Sequence, residues 1–233
     1  MALWGEDLAI SFNMFTAGNE FSKAMIMQVG LKEAEAGTSL RYRTYRDLTD
    51  NPFTPVPVDI QKGNATTAPY YLVSTQSGGG SNIYIFTVPS SIYQTAGEIQ
   101  YRSFPIRRYF FPGNAKQPNG RGIDLGGCRV RNAYLSAGII QFVYGEKSIY
   151  GQGGLRLVRV DVDKDIHHEI SISIPGTHLG FPSLVPYTSD VRRKSCVIGY
   201  LSVSSKQFAG MGAIWVGENL EISSPASLRQ VLS

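Results

Sequence analysis

Four times along this chain two short apolar runs recur, each pair joined by a turn rich in Gly, Ser or Asn. The copies begin near Leu8, Tyr70, Tyr134 and Val197. That is a period of roughly 60–65 residues, the mark of a repeat architecture. Residues 8–15 (LAISFNMF) lead through TAGNE into FSKAMIMQVG, and residues 70–76 (YYLVSTQ) lead through SGGGS into NIYIFTVP. The third copy runs AYLSAGIIQFVYGE, KSIYGQGG, LRLVRVDV, and the fourth CVIGYLSVSS, KQFAGM, GAIWVG. A unit of this length exceeds one hairpin and suits a four-stranded antiparallel sheet. The fold expected is all-β: a β-propeller, or part of one, of about four such blades. Evenly spaced hairpins of a plain sandwich or barrel would leave a similar trace.

The 233 residues suffice for one domain with a sizeable core, and 1–233 reads as a single unit. The 25 glycines, 12 prolines, 13 tyrosines and 11 phenylalanines fit many strands cut by many turns. Helix is expected only at Leu31 to Ala36 (LKEAEA), which Gly37 ends after little more than a turn. A net charge of +4 is too mild to hold a polyanion, so nucleic acid is not an expected partner. No apolar run is long enough to span a membrane. Glu6 and Asp7 ahead of the first apolar run make the start unlike a signal peptide. Cys128 and Cys196 lie about one repeat apart. Separate buried thiols are the default, and a bridge between adjacent blades is the alternative.

Alternation within the copies gives the faces. Leu8, Ile10, Phe12 and Met14 share one side of the first strand; Ile83 and Ile85 oppose Tyr84, Phe86 and Val88 in the second copy. There both sides are apolar, as in a sheet packed between two neighbours. The expected core is Ile10, Phe12, Met14, Met25, Met27, Leu72, Ile83, Ile85, Tyr134, Ile140, Phe142, Leu157, Val197, Ile198, Ile214 and Trp215. Asp47 to Pro57 and Pro112 to Gly127 read as loops on one rim, the second with an Asn119-Gly120 turn.

Three stretches resemble a known family. Leu3-Trp4 followed by Ala9 to Phe15 (AISFNMF) is similar to the blade opening of a bacterial family of large secreted or surface β-propellers. Arg129 to Ile140 (RVRNAYLSAGII) resembles its Arg-x-x-x-Ala-Tyr-x-x-x-Gly element. Phe181 to Leu184 (FPSL) and Val197 to Ser204 (VIGYLSVS) resemble its Pro-Ser and Gly-Tyr-Ser strands. The resemblance implies an extracellular or cell-surface setting. The chain lacks the family's Asp-Tyr-Pro lead-in and its later Arg-Trp-Gly-Asp-Tyr element, and so reads as a partial ring. The alternative is a self-contained propeller in which Leu228 to Leu232 (LRQVL) closes onto the first blade. Without closure, two exposed blade faces would favour self-association.

Candidate chemistry is sparse. Phe104 to Arg108 (FPIRR) inverts the order of the sialidase Phe-Arg-Ile-Pro signature, and the repeated Ser-x-Asp-x-Gly-x-Thr-Trp turns are absent. Asp161, Asp163 and Asp165 alternate like calcium ligands, but Ile166 and Ile172 stand where an EF-hand needs Gly and Glu. The stretch reads more simply as a hairpin turn, with a weak surface calcium site as the alternative. His167 and His168 point to opposite faces of a strand and cannot easily share a metal with His178. Arg107 and Arg108 beside Tyr109 to Phe111, and Arg192 to Lys194, read as surface charge. Asn64 to Thr66 (NAT) fits a glycosylation triplet. No cofactor is expected. The leading expectation is a non-enzymatic binding or scaffold module whose rim loops engage a protein or glycan, with Tyr109, Phe110, Tyr150 and Tyr187 as stacking aromatics. The alternative is a glycan-processing enzyme with convergent carboxylates at the ring centre.

Overall fold

The computed structural model describes residues 1–60, 69–190, 192–224 and 226–230. The Asn64 triplet lies outside them. Strands come in runs that follow the sequence copies. The first run is β1 (Ala2–Trp4), β2 (Asp7–Phe15), β3 (Phe21–Gly30), helix α1 (Leu31–Ala36) and β4 (Tyr42–Tyr45). The second is β5 (Val56–Ile60), β6 (Tyr70–Thr75), β7 (Gly79–Val88) and β8 (Gln100–Phe110). A small hairpin, β9 (Asn114–Lys116) with β10 (Gly122–Asp124), precedes the third run. That run is β11 (Ala133–Ser136), β12 (Ile139–Lys147), β13 (Gly153–Asp161) and β14 (Ile166–Ile172). The last is β15 (His178–Pro186), β16 (Cys196–Ser204), β17 (Gln207–Val216) and β18 (Ala226–Gln230). The molecule is all-β, and the one short helix among the described residues is where the sequence placed it, stopped by Gly37 at φ 65°.

The first and last runs are separate four-stranded antiparallel sheets. The middle two are merged. β5 pairs with β6 through Val56 and Pro57 only, so residues 58–60 present a free edge. β11 takes it up in parallel, Ala133 beside Val58 and Leu135 beside Ile60. The resulting eight-stranded sheet curls until its halves face each other across one core, nearly closing into a barrel. Its outer strands are tied by side chains: the Arg107 amide donates to Glu169 Oε1 at 3.0 Å, and Arg102 meets Asp165 at 3.3 Å. β18 pairs with β17, so Ala226–Gln230 form the edge of the last sheet rather than joining the first.

Three larger cores separate the layers, and a small one of Ala115, Leu125 and Val203 lies between the β9–β10 hairpin and the last sheet. Trp4, Ala9, Ala24 and Ile26 pack on Tyr70, Leu72, Phe86 and Val88. The opposite side of β6 and β7 (Val73, Ile83, Ile85) packs on Ile140, Phe142, Val158 and Val160. Val143, Leu155 and Leu157 then meet Leu184, Ile198 and Ile214. Both faces of β7 are buried, as its sequence demanded.

The first sheet corrects the expected core. Ile10, Phe12, Met14, Met25 and Met27 lie on the side turned away from the stack, with Phe12 and Met14 40% and 41% exposed. Trp4 fixes the parity. Its indole stacks on Tyr70 at 4.8 Å and donates to the Val58 carbonyl at 2.9 Å, and β1 pairs Trp4 with Asp7 and Ala2 with Ala9. Small Ala9 and Ala24 therefore face inward with Ile26 against large rings, and Ile10, Phe12, Met14, Met25 and Met27 point out. Val197 and Trp215, also expected in the core, lie half-buried on the outward side of the last sheet. The two expected rim loops are partly strand: β5 begins within the first, and β9 and β10 lie in the second with Gly120 at φ 78° between them.

Candidate functional site

The opening strands of the four runs lie side by side: β1 against β5, β5 paired with β11, and β11 against β15. Asn132 holds the last of these contacts, its Oδ1 accepting from the Leu184 amide at 3.0 Å while its Nδ2 donates to the Leu184 carbonyl. Along this row runs a groove of about 470 Å³. Leu3, Val56, Ala133, Leu184 and Val185 make its surface largely apolar, and Asp59 and Arg131 add one charge of each sign. Arg131 lies over the Phe181 ring at 4.8 Å and donates to the Gly126 carbonyl at 3.3 Å. Burial, with Arg129 nearby, lowers its pKa from the usual guanidinium range. Such a lining offers apolar contact area beside charge, and none of its residues places a nucleophile beside a base.

The nominated aromatics are dispersed. Tyr109 is fully buried in the barrel core, accepting from the Gln76 amide at 2.9 Å and donating to the Asn82 carbonyl at 3.1 Å. It has no face for a ligand. Phe110 is half exposed beneath the Arg108 guanidinium at 5.0 Å, Tyr150 stands on the turn between β12 and β13, and Tyr187 meets Trp215 edge-on at 6.1 Å. Phe110 and Tyr150 stand at different strands of the eight-stranded sheet and Tyr187 beside the last sheet, so they do not gather at one place.

The acidic stretch is the turn between β13 and β14. Asp161 receives the Lys164 ammonium at 2.7 Å and the Lys164 amide at 3.1 Å, and Asp165 faces Arg102. Among the described residues, Asp161 and Asp165 are thus engaged by cations of the fold while Asp163 is not, and no group of three His, Cys, Asp or Glu is arranged to hold a metal. His167 and His168 alternate along β14 as expected. His178 Nδ1 accepts from the Gly153 amide at 3.1 Å, and burial lowers its pKa. Cys128 and Cys196 are separate buried thiols in different cores. Arg107 and Arg108 lie on β8, and Arg192 to Lys194 in the segment before β16.

Two carboxylates do converge, but on a guanidinium. Arg156, 2% exposed, bonds Glu169 at 2.9 Å, Glu146, and the carbonyls of Arg107 and Arg108. Burial opposes its charge, yet Tyr144, Glu146 and Glu169 hold its pKa above the ordinary value. Acids so committed cannot serve as free acid and base. Sequence reading passed over this cluster, although Arg156 and Arg159 interrupt an otherwise apolar strand. It also passed over Asp7, a fully buried carboxylate that accepts from Gln28 Nε2 at 2.7 Å, Ser91 Oγ at 3.1 Å and the Ile92 amide at 3.1 Å. No family model, curated protein or solved structure matches this chain.

Proposed function

We propose that the chain is a non-catalytic binding module of β-propeller type, four blades in sequence order, that engages an extended protein segment along the groove of its opening strands. The observation that carries this reading is the row β1, β5, β11 and β15, the arrangement of strands around a propeller axis, with a largely apolar groove along it. The scattered aromatics favour a protein over a glycan, because sugar recognition calls for rings gathered at one pocket. The commitment of Glu146 and Glu169 to Arg156 speaks against hydrolysis by paired carboxylates.

The test is selection of random peptides on the wild-type chain with a counter-screen on Val185→Asp. Val185 is 53% exposed, so the change leaves the packing intact. Expected are peptides with an apolar residue beside charged ones that bind the wild type and lose at least about tenfold in the variant, the cost of burying an unpaired carboxylate. Peptides indifferent to the variant, or saturable binding on a glycan array with no selected peptide, would overturn the reading.

A further inference from the structure

A second cavity lies away from that groove. It holds about 410 Å³ between the β13–β14 turn and the segments around Lys194 and Glu218. At its base is Arg159, 4% exposed. The guanidinium donates to Gln141 Oε1 at 2.7 Å and to the carbonyls of Glu218, Lys194 and Gly217 at 2.8, 2.6 and 2.9 Å. Every acceptor is neutral. Among the described residues no carboxylate forms an ion pair with it, and its remaining side-chain contact is the neutral Cys196 thiol. A buried charge without a counter-charge is costly, and a site that keeps one is suited to receive an anion.

The other walls agree. Lys194 lines the cavity, and its ammonium has no acceptor among the described residues. The two carboxylates present are occupied: Asp161 by Lys164, and Glu218 by the Lys194 and Ser195 amides at 3.0–3.2 Å. These amides overcome the effect of burial and lower the Glu218 pKa. Arg159, Lys164 and Lys194 thus outnumber Asp161 and Glu218 by one charge. Ile139, Ile166 and Leu220 add apolar surface beside His168 and Asn219, Ile166 being 48% exposed at the lip.

We propose that this cavity binds a small organic monocarboxylate, its carboxylate between Arg159 and Lys194 and its apolar body on Ile139, Ile166 and Leu220. One surplus positive charge matches a monoanion, and Ile139, Ile166 and Leu220 give the organic body of a carboxylate a surface that inorganic phosphate cannot use. Titration of the full chain followed by amide NMR shifts tests it, with benzoate, benzyl alcohol and inorganic phosphate as probes. Expected is saturable benzoate binding at millimolar concentration or below that perturbs residues 159–168 and 194–220. It should weaken about tenfold or more for benzyl alcohol and for Lys194→Gln, the loss of one charge-assisted hydrogen bond. No saturable benzoate shift, equal binding of the neutral alcohol, tighter phosphate, or an unchanged Lys194→Gln would each overturn it. The proposal is independent of the groove: Val185→Asp should leave it untouched.

Discussion

Arg156 and Arg159 stand three residues apart on β13, one turned into the barrel core and the other toward the last sheet. Both are almost wholly removed from water. Around Arg156 the protein supplies two carboxylates, and Ser171 donates in turn to Glu146. Around Arg159 it supplies carbonyl oxygens, one side-chain amide and the Cys196 thiol, all neutral. The difference follows position. Arg156 sits inside the barrel core where β8 approaches β14, and its counter-charges are built in. Arg159 borders an open cavity, where an incoming anion can complete the pairing. One strand therefore carries a closed structural ion cluster and, on its other face, a charge left open.

The hardest blow to this comparison is Arg156→Ala. It strands Glu146, whose side chain is 4% exposed, in an apolar core without its cation. The expected loss is about 3–5 kcal/mol of unfolding free energy by chemical denaturation, the range for breaking a buried pair on one side. Replacing Arg156, Glu146 and Glu169 together by Met, Gln and Gln should restore much of that stability, since no unpaired charge remains. If the triple variant is no more stable than the single one, the cluster acts through shape rather than charge.

Arg159→Met comes next. It strands no carboxylate, and the acceptors it releases lie beside a cavity that water can enter. The expected cost is about 1–3 kcal/mol, smaller than that of Arg156→Ala under the same conditions. Equal or larger destabilisation would mean that Arg159 is as structural as Arg156.

Much of the fold was legible because local chemistry and packing agree there. Gly37 ends α1, Asn119-Gly120 sits at a tight turn, and the apolar faces of β7 both found neighbours. Parity in the first sheet was not legible. Ile10, Phe12 and Met14 outweigh Ala9 in hydrophobicity, and inward placement depends on Trp4 meeting Tyr70, a partner 66 positions away along the chain. The merging of the middle runs was likewise hidden, since a free edge on residues 58–60 is a matter of register. The sites were least legible. A charge in a strand reads as surface until one knows that both faces of β13 are covered. The groove consists of unremarkable apolar residues from four distant strands.

The two thiols report the same comparison at the smallest scale. Cys128 shares the barrel core with Arg156 and Glu146, and Cys196 lies by Arg159. Burial raises both pKa values. For Cys128, Glu146 adds to burial and Arg156 opposes it, and the result is pushed up to about 12 from 9.0. For Cys196, Arg159 works against burial by charge and by hydrogen bonding, and the rise is smaller. Below pH 9 the Cys128 proton is held in both folded and unfolded chains. Between 9 and about 12 only the folded chain keeps it, so this contribution to stability is lost as pH climbs through that window. In single-cysteine variants (Cys128→Ser and Cys196→Ser), thiolate absorbance of the folded protein should appear at lower pH for Cys196 than for Cys128. Adding Arg159→Met should push the Cys196 transition upward. A reversed order, or a Cys196 titration indifferent to Arg159, would remove the charge difference on which the comparison of the two faces of β13 rests.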